Sequence, residues 1–483
     1  MSEVPTRPTP GSQDKSEFFV DGQWRPAGSS ELLPVIDSGT GDTLGSVRSA
    51  TAEDVDAAVD AAARALGPWA ALSPQDRSAH LKALHRELST RSVELISLIS
   101  AEVGTAARMC GPIQVESSLN LLELTADLLL EQKFEEQVVN SLVVRQQVGV
   151  VAAITPWNYP LFQAMGKIAA ALAAGCTVVH KPSEVAPLSA FVFAEAAWAS
   201  GLPAGVYNLV PGTGPAVGEQ LALHPKVRMV SFTGSTAAGT RVYELAARSI
   251  KRVALELGGK SPSVILDDAD FPAAVKASVN RAFLNSGQTC DAWTRLLVPR
   301  QHLDELMDLA VAAAERLTVG DPFDPASRLG PLVSQAQLDR VRGYIDGAIA
   351  DGATAVIGGS SAPDGLEHGF YVRPTILKDV RPEMTIAREE VFGPVLVVMA
   401  YDSEAEALEL ANDTDYGLSA AVWSSDPERA MGFARGIQAG QVVINGGAFN
   451  PAAPFGGLKR SGVGRELGAF GIDEFLETKA LQQ

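Results

Sequence analysis

The chain has 483 residues, 46 % hydrophobic and 20 % charged, a balance that excludes bulk disorder and sets a prior of about three domains. Its 39 Lys and Arg stand against 57 Asp and Glu, a net charge of −18, which argues against nucleic-acid or anionic-membrane partners. Cys110, Cys176 and Cys290 are too few and too scattered for a disulfide framework or a zinc cluster, so a reducing compartment is expected and no metal site is visible.

In chain order, residues 1–17 are rich in Pro, Ser and Thr and contain no apolar run. They are expected to form a flexible tail, not a secretory signal, and the expected compartment is the cytoplasm. Thr51 with Asp54 three residues on resembles a capping box, and Val55, Ala58, Val59, Ala62 and Leu66 then repeat at helical spacing. Further helical periodicity covers 75–108 and 112–131, and the Val-rich stretch 135–151 reads as strand or hairpin. From Val150 the pattern becomes short apolar strands alternating with helices. GVVAAIT, TVVHK, VYNLV, VRMVSFTG and RVALEL are five strands with four helices between them, which implies a parallel, doubly wound sheet. After Gly259 the alternation continues through SPSVIL, TRLLV, VLVVMAY, SAAVWS and QVVIN, and predicts a second α/β domain.

Cys290 lies in NSGQTCDAWTR, on a loop behind Gly287. Such a cysteine can be exposed and reactive, although a lone Cys taken by itself reads more readily as a small buried apolar residue. A nucleophilic Cys needs a base. None of the six histidines sits in a cysteine-hydrolase signature, whereas Glu256 ends an apolar strand in LELGGK. Burial there would raise its pKa toward the range of a general base, the bland alternative being a salt bridge to Lys260. In FTGSTAAG a strand runs into Gly234 and a helix opens near Ser235, whose free N–H groups suit a pyrophosphate. Gly212, Gly214 and Gly218 miss the G-x-G-x-x-G spacing and are a weak signal. HKPSE places Lys181 and Glu184 at the carboxyl end of the sheet, where a carboxylate can accept from ribose hydroxyls and would repel a 2′-phosphate. In TPWNYP, Asn158 can donate its amide to a developing oxyanion, or merely bond a turn.

TPWNYP, HKPSE, FTGSTAAG, LELGGK, GQTC, EEVFGP (Glu389 to Pro394) and PFGGLKRSGVGRE (Pro454 to Glu466) occur in the order found in the aldehyde dehydrogenases, and the chain resembles that family from Thr155 to Glu466. The resemblance implies an aldehyde-dehydrogenase-like α/β fold: a Rossmann-like cofactor domain over 18–128 and 148–259, a catalytic domain over 260–465, and a small β oligomerisation element from 129–147 and 466–483. It implies Cys290 as nucleophile, Glu256 as the base that deacylates the thioester, Asn158 as oxyanion donor, and Lys167 as a residue tuning Glu256 and Cys290. It implies NAD, with NADP as the lesser option, held by Thr155, Pro156, Trp157, Lys181, Ser183, Glu184, Gly214, Gly218, Phe232, Thr233, Gly234, Ser235, Leu257, Gly258, Glu390 and Phe392. Tyr159, Phe162, Leu284, Thr289, Asp291, Phe449 and Phe455 match the substrate tunnel and suggest an apolar or aromatic aldehyde. Asp291 is expected to point outward as a loop carboxylate, and Arg108 cannot be placed. A homodimer or homotetramer is implied. Transfer of the acyl group to coenzyme A, and a retired active site, are the competing readings, and the presence of both Glu256 and Cys290 weighs against them.

Overall fold

The computed structural model describes residues 5–482; residues 1–4 of the expected tail, and 483, lie outside the described residues. Of the tail, 5–17 is held and not loose. Lys15 bonds through its N–H and C=O to Ser46 and Arg48, while Arg7 forms ion pairs with Asp37 and Asp321. Composition marks such a segment as polar, but cannot show that its Arg meets two carboxylates 30 and 314 residues away.

The helix opening at Thr51 runs over Ala52–Ala70 and carries the reciprocal cap: the Thr51 hydroxyl accepts from the Asp54 N–H, and the Asp54 carboxylate accepts from the Thr51 N–H. The periodic stretch 75–108 divides into Pro74–Ser89 and Ser92–Val103, and the second helix is stopped by Gly104 at φ 84°. Glu135–Val138 and Ser141–Gln147 form the hairpin, and Leu476–Gln482 adds antiparallel to the second strand, giving a three-stranded sheet from both ends of the expected oligomerisation element.

The five strands read from the sequence form one parallel sheet in the order Arg252–Glu256, Val227–Thr233, Val150–Ile154, Thr177–Lys181, Tyr207–Leu209. The chain order reverses between Val150–Ile154 and Val227–Thr233, and ligands of doubly wound sheets bind at that point, beyond the carboxyl ends. TPWNYP and FTGSTAAG leave the sheet there. Gly462–Val463, within the stretch assigned to the catalytic domain, extends this sheet antiparallel, with Gly462 opposite Glu256. The second sheet has seven strands, ordered Thr354–Ile357, Thr375–Lys378, Val395–Tyr401, Arg295–Pro299, Pro262–Ile265, Ser419–Trp423, Gln441–Ile444, all parallel except the first. Thr354–Ile357 and Thr375–Lys378 escape a reading by periodicity, since four residues leave little alternation to detect.

Candidate active site

The helix Phe271–Phe283 ends one turn before the cysteine loop. Asn285, Ser286 and Gly287 then all take positive φ, at 54°, 56° and 74°. Two non-glycine residues in the left-handed region are costly unless their side chains hold them. Here they do: Asn285 donates to the Asn158 carbonyl and accepts from the Thr105 hydroxyl, and Ser286 donates to the Gly330 carbonyl. A side chain at Gly287 would lie 2.1 Å from the Gly393 carbonyl oxygen. The result is a sharp turn that lifts Cys290 off the second sheet toward the first.

Cys290 lines two cavities at once. One, of about 270 Å³, is walled by Tyr159, Phe162, Leu284, Thr289, Asp291, Phe449 and Phe455, the whole set expected for the substrate tunnel. The other, of about 220 Å³, is walled by Pro156, Trp157, Asn158, Thr233, Gly234, Ser235, Leu257, Gly258, Glu390 and Phe392. The thiol therefore stands at the junction of an aromatic tunnel and a cleft at the switch point of the sheet. Burial pushes its pKa well above the ordinary thiol value; Asp291, Glu390 and Glu256 add to the rise and Arg281 opposes it.

Asn158 is buried, and its Nδ2 donates to the Gln288 carbonyl at 3.0 Å, two residues before the cysteine. Gln114 Nε2 fixes the Asn158 backbone by donating to its carbonyl at 2.8 Å. Glu256 is 4 % exposed, and neither carboxylate oxygen has a hydrogen-bond partner among the described residues. Burial and the neighbouring Glu466 hold its pKa well above the usual carboxylate range, with Lys167 and Arg465 pulling the other way. The alternative pairing with Lys260 is not formed among the described residues. Gly456 leaves the room Glu256 occupies, since a Cβ there would come within 2.7 Å of its Oε1. Lys167 is buried and ion-paired with Glu466, so it faces Glu256 without bonding to it.

Ser235 caps the helix Thr236–Ala247 by accepting from the Ala238 N–H at 3.2 Å, and Gly234 donates to the Glu256 carbonyl at 3.1 Å. Phe232 backs this turn: a Cβ on Gly234 would meet its ring at 2.6 Å. Trp157 and Phe392, the latter at φ 60°, meet edge to face at 5.2 Å. Glu390 accepts from the Gly259 N–H at 3.0 Å, and burial pushes its pKa up to about 7. It can lie there only because Gly258 has no side chain, as a Cβ would sit 2.0 Å from its carboxylate. Thr155, Lys181, Ser183, Glu184, Gly214 and Gly218 lie beside this cleft and not on its wall. The Lys181 ammonium donates to Glu184 and the Pro182 carbonyl, and Thr155 bonds His180. Gly214–Gly218 is a single wide helical turn capped by Thr213, with Gly218 next to the Lys181 stem. The room left by Gly234 and Gly258, the capped helix start and the apolar walls fit a dinucleotide: N–H donors for its phosphates, a carboxylate for a ribose.

One position departs from the sequence reading. Asp291 points inward: it is buried and ion-paired with Arg281, because an unpaired carboxylate beside the tunnel would be too costly. Arg281 itself was not singled out, although a basic residue in the last turn of the helix entering the cysteine loop is a detectable signal. Arg108 is exposed and donates to the Pro325 carbonyl, away from the tunnel. Gln337 and Arg340 also line the cleft, and Glu466 governs Lys167.

A sequence model of the aldehyde dehydrogenase family matches residues 24–481. The chain is 46 % identical to a 3-succinoylsemialdehyde-pyridine dehydrogenase from a Pseudomonas species, over 97 % of this chain and 98 % of the relative. It superposes with a TM-score of 0.97 and 44 % identity on a cysteine-to-alanine mutant of aldehyde dehydrogenase C from Pseudomonas syringae, solved with NAD+ and octanal, over 99 % of both chains. A Mycobacterium tuberculosis aldehyde dehydrogenase solved with NAD+ superposes with a TM-score of 0.95 at 40 % identity, over 98 % of this chain and 99 % of that one. The chain belongs to the aldehyde dehydrogenase family.

Proposed function

We propose that this protein oxidises an apolar or aromatic aldehyde to its carboxylic acid, with NAD bound in the cleft beside Gly234 and Glu390. The observation that carries the reading is Cys290 at the junction of the two cavities. Bound NAD supplies the two-electron acceptor. The Cys290 thiolate attacks the aldehyde carbon, and the oxyanion is met by the Asn158 amide and the Cys290 N–H. Loss of hydride from that carbon leaves a thioester on Cys290. Glu256 takes a proton from the attacking water, and the acid departs with the thiol restored. Its two free oxygens and raised pKa support this role and favour water over coenzyme A as acceptor.

Glu184 beside Lys181 supports NAD over NADP, since a 2′-phosphate would meet its charge. The aromatic tunnel supports an apolar substrate, and the octanal bound to the Pseudomonas syringae neighbour is of that kind. Three scattered cysteines suit a reducing compartment, and on that ground we place the enzyme in the cytoplasm. The exposed edge Glu135–Val138 supports assembly of two or four copies. The test is nicotinamide reduction, followed by absorbance, with a panel of alkanals and aromatic aldehydes, NAD or NADP, and Cys290→Ala as control. Turnover that requires Cys290 supports the reading; turnover retained by Cys290→Ala overturns it.

A further inference from the structure

The tunnel carries one charge pair in a wall of otherwise uncharged side chains, four of them aromatic. Arg281 reaches it from the last turn of Phe271–Phe283, and Asp291 from the residue after the nucleophile. The pair is formed through Arg281 Nη2. Among the described residues Arg281 bonds only Asp291, and its side chain, which lines the cavity, keeps 29 % of its surface exposed. Neighbouring hydroxyls are already engaged: the Tyr159 and Thr289 hydroxyls share a bond of 2.9 Å, Thr289 also bonds the Leu284 carbonyl, and Ser117 donates to the Ile113 carbonyl.

We propose that Arg281 is a specificity-determining residue, whose donors left over from Asp291 bind an acceptor atom on the body of the substrate. The substrate class is then a neutral, mostly apolar aldehyde with a keto, ether, hydroxyl or ring-nitrogen acceptor part-way along its chain. Neutrality follows from the pair. Asp291 already balances the Arg281 charge, so a carboxylate tail would have to displace it and leave it buried beside Cys290 without a cation. The remainder of the wall has no second cation for such a tail. This inference rests on the aldehyde-oxidising reading above and names the substrate class of the same site.

The experiment compares kcat/KM for octanal, for chain-length-matched aldehydes with one oxygen walked along the chain, and for a matched semialdehyde acid. Each is measured in the wild type, in Arg281→Met and in the charge-balanced double variant Arg281→Met/Asp291→Asn. Because the readout is a ratio of two substrates on one protein, loss of overall activity does not obscure it. At one oxygen position the wild type is expected to prefer the oxygenated aldehyde over octanal by about tenfold, the worth of a hydrogen bond to a charged donor. Both variants are expected to bring that ratio near unity. No preference at any position, or a preference that survives in the double variant, overturns the assignment. A wild-type preference for the semialdehyde acid overturns the neutral class. Turnover of octanal that needs Cys290 tests the underlying reading separately, so the two failures are distinguishable.

Discussion

The Lys167 ammonium is bonded to the Glu466 carboxylate, both buried, 299 residues apart in the chain. Glu256, at the end of the strand opposite Gly462, keeps two oxygens free among the described residues. Glu466 thus does two things to Glu256: it adds a negative charge nearby, and it occupies a buried cation next to it.

The sign of the outcome follows. Glu466→Gln removes the charge and frees Lys167, so both effects lower the Glu256 pKa. The acid limb of the deacylation rate should move to lower pH, by about one unit. Lys167→Met removes a cation and should move the limb the other way. The measurement is the single-turnover decay of a preformed acyl-enzyme across pH. Equal limbs in all three proteins would detach this pair from the base.

Replacing Glu256 itself by Gln removes the proposed proton acceptor while keeping the shape. Acylation and hydride loss are expected to proceed, and hydrolysis to slow by about 100-fold or more. One equivalent of acyl group should then accumulate on Cys290, visible in the intact mass, with a burst of reduced nicotinamide. Normal turnover without an acylated species would transfer the role elsewhere.

Asp291 raises the Cys290 pKa through its charge, after burial, and Arg281 lowers it. Asp291→Asn removes the first influence and leaves the second unopposed. The rate of thiol alkylation in the cofactor-free protein should therefore reach its midpoint at lower pH than in the wild type. The variant also strands Arg281 with no carboxylate, at a stability cost of about 1–3 kcal/mol. A midpoint that stays fixed would mean the Asp291 charge is not felt at the thiol.

How far the sequence carries is visible in these same residues. The alternation after Val150 shows the doubly wound sheet, because five apolar strands with helices between them admit few other arrangements. Cys290, Glu256 and Asn158 can be singled out from the sequence as candidates, since each stands beside a strand end or a glycine turn. The direction of Asp291 is not. Whether a loop carboxylate turns inward depends on a cation ten residues back, on a helix whose rotation is set by its packing. The bond between Lys167 and Glu466 is hidden for a similar reason: it closes only when Gly462–Val463 joins a strand 200 residues earlier in the chain.

Gly258 offers a test of the cofactor side. Glu390 lies over it, accepting from the Gly259 N–H, and a methyl group at 258 would overlap its carboxylate at 2.0 Å. Gly258→Ala must expel Glu390 and leave the Gly259 N–H without its acceptor, a loss of about 1–2 kcal/mol. That should lower the melting temperature by a few degrees and raise the KM for NAD by about tenfold. At saturating NAD the KM for the aldehyde should change little, because the tunnel beyond Cys290 is built from other residues. An aldehyde KM that rises as much as the NAD KM would show that the two cavities do not act as separate sites joined at the thiol.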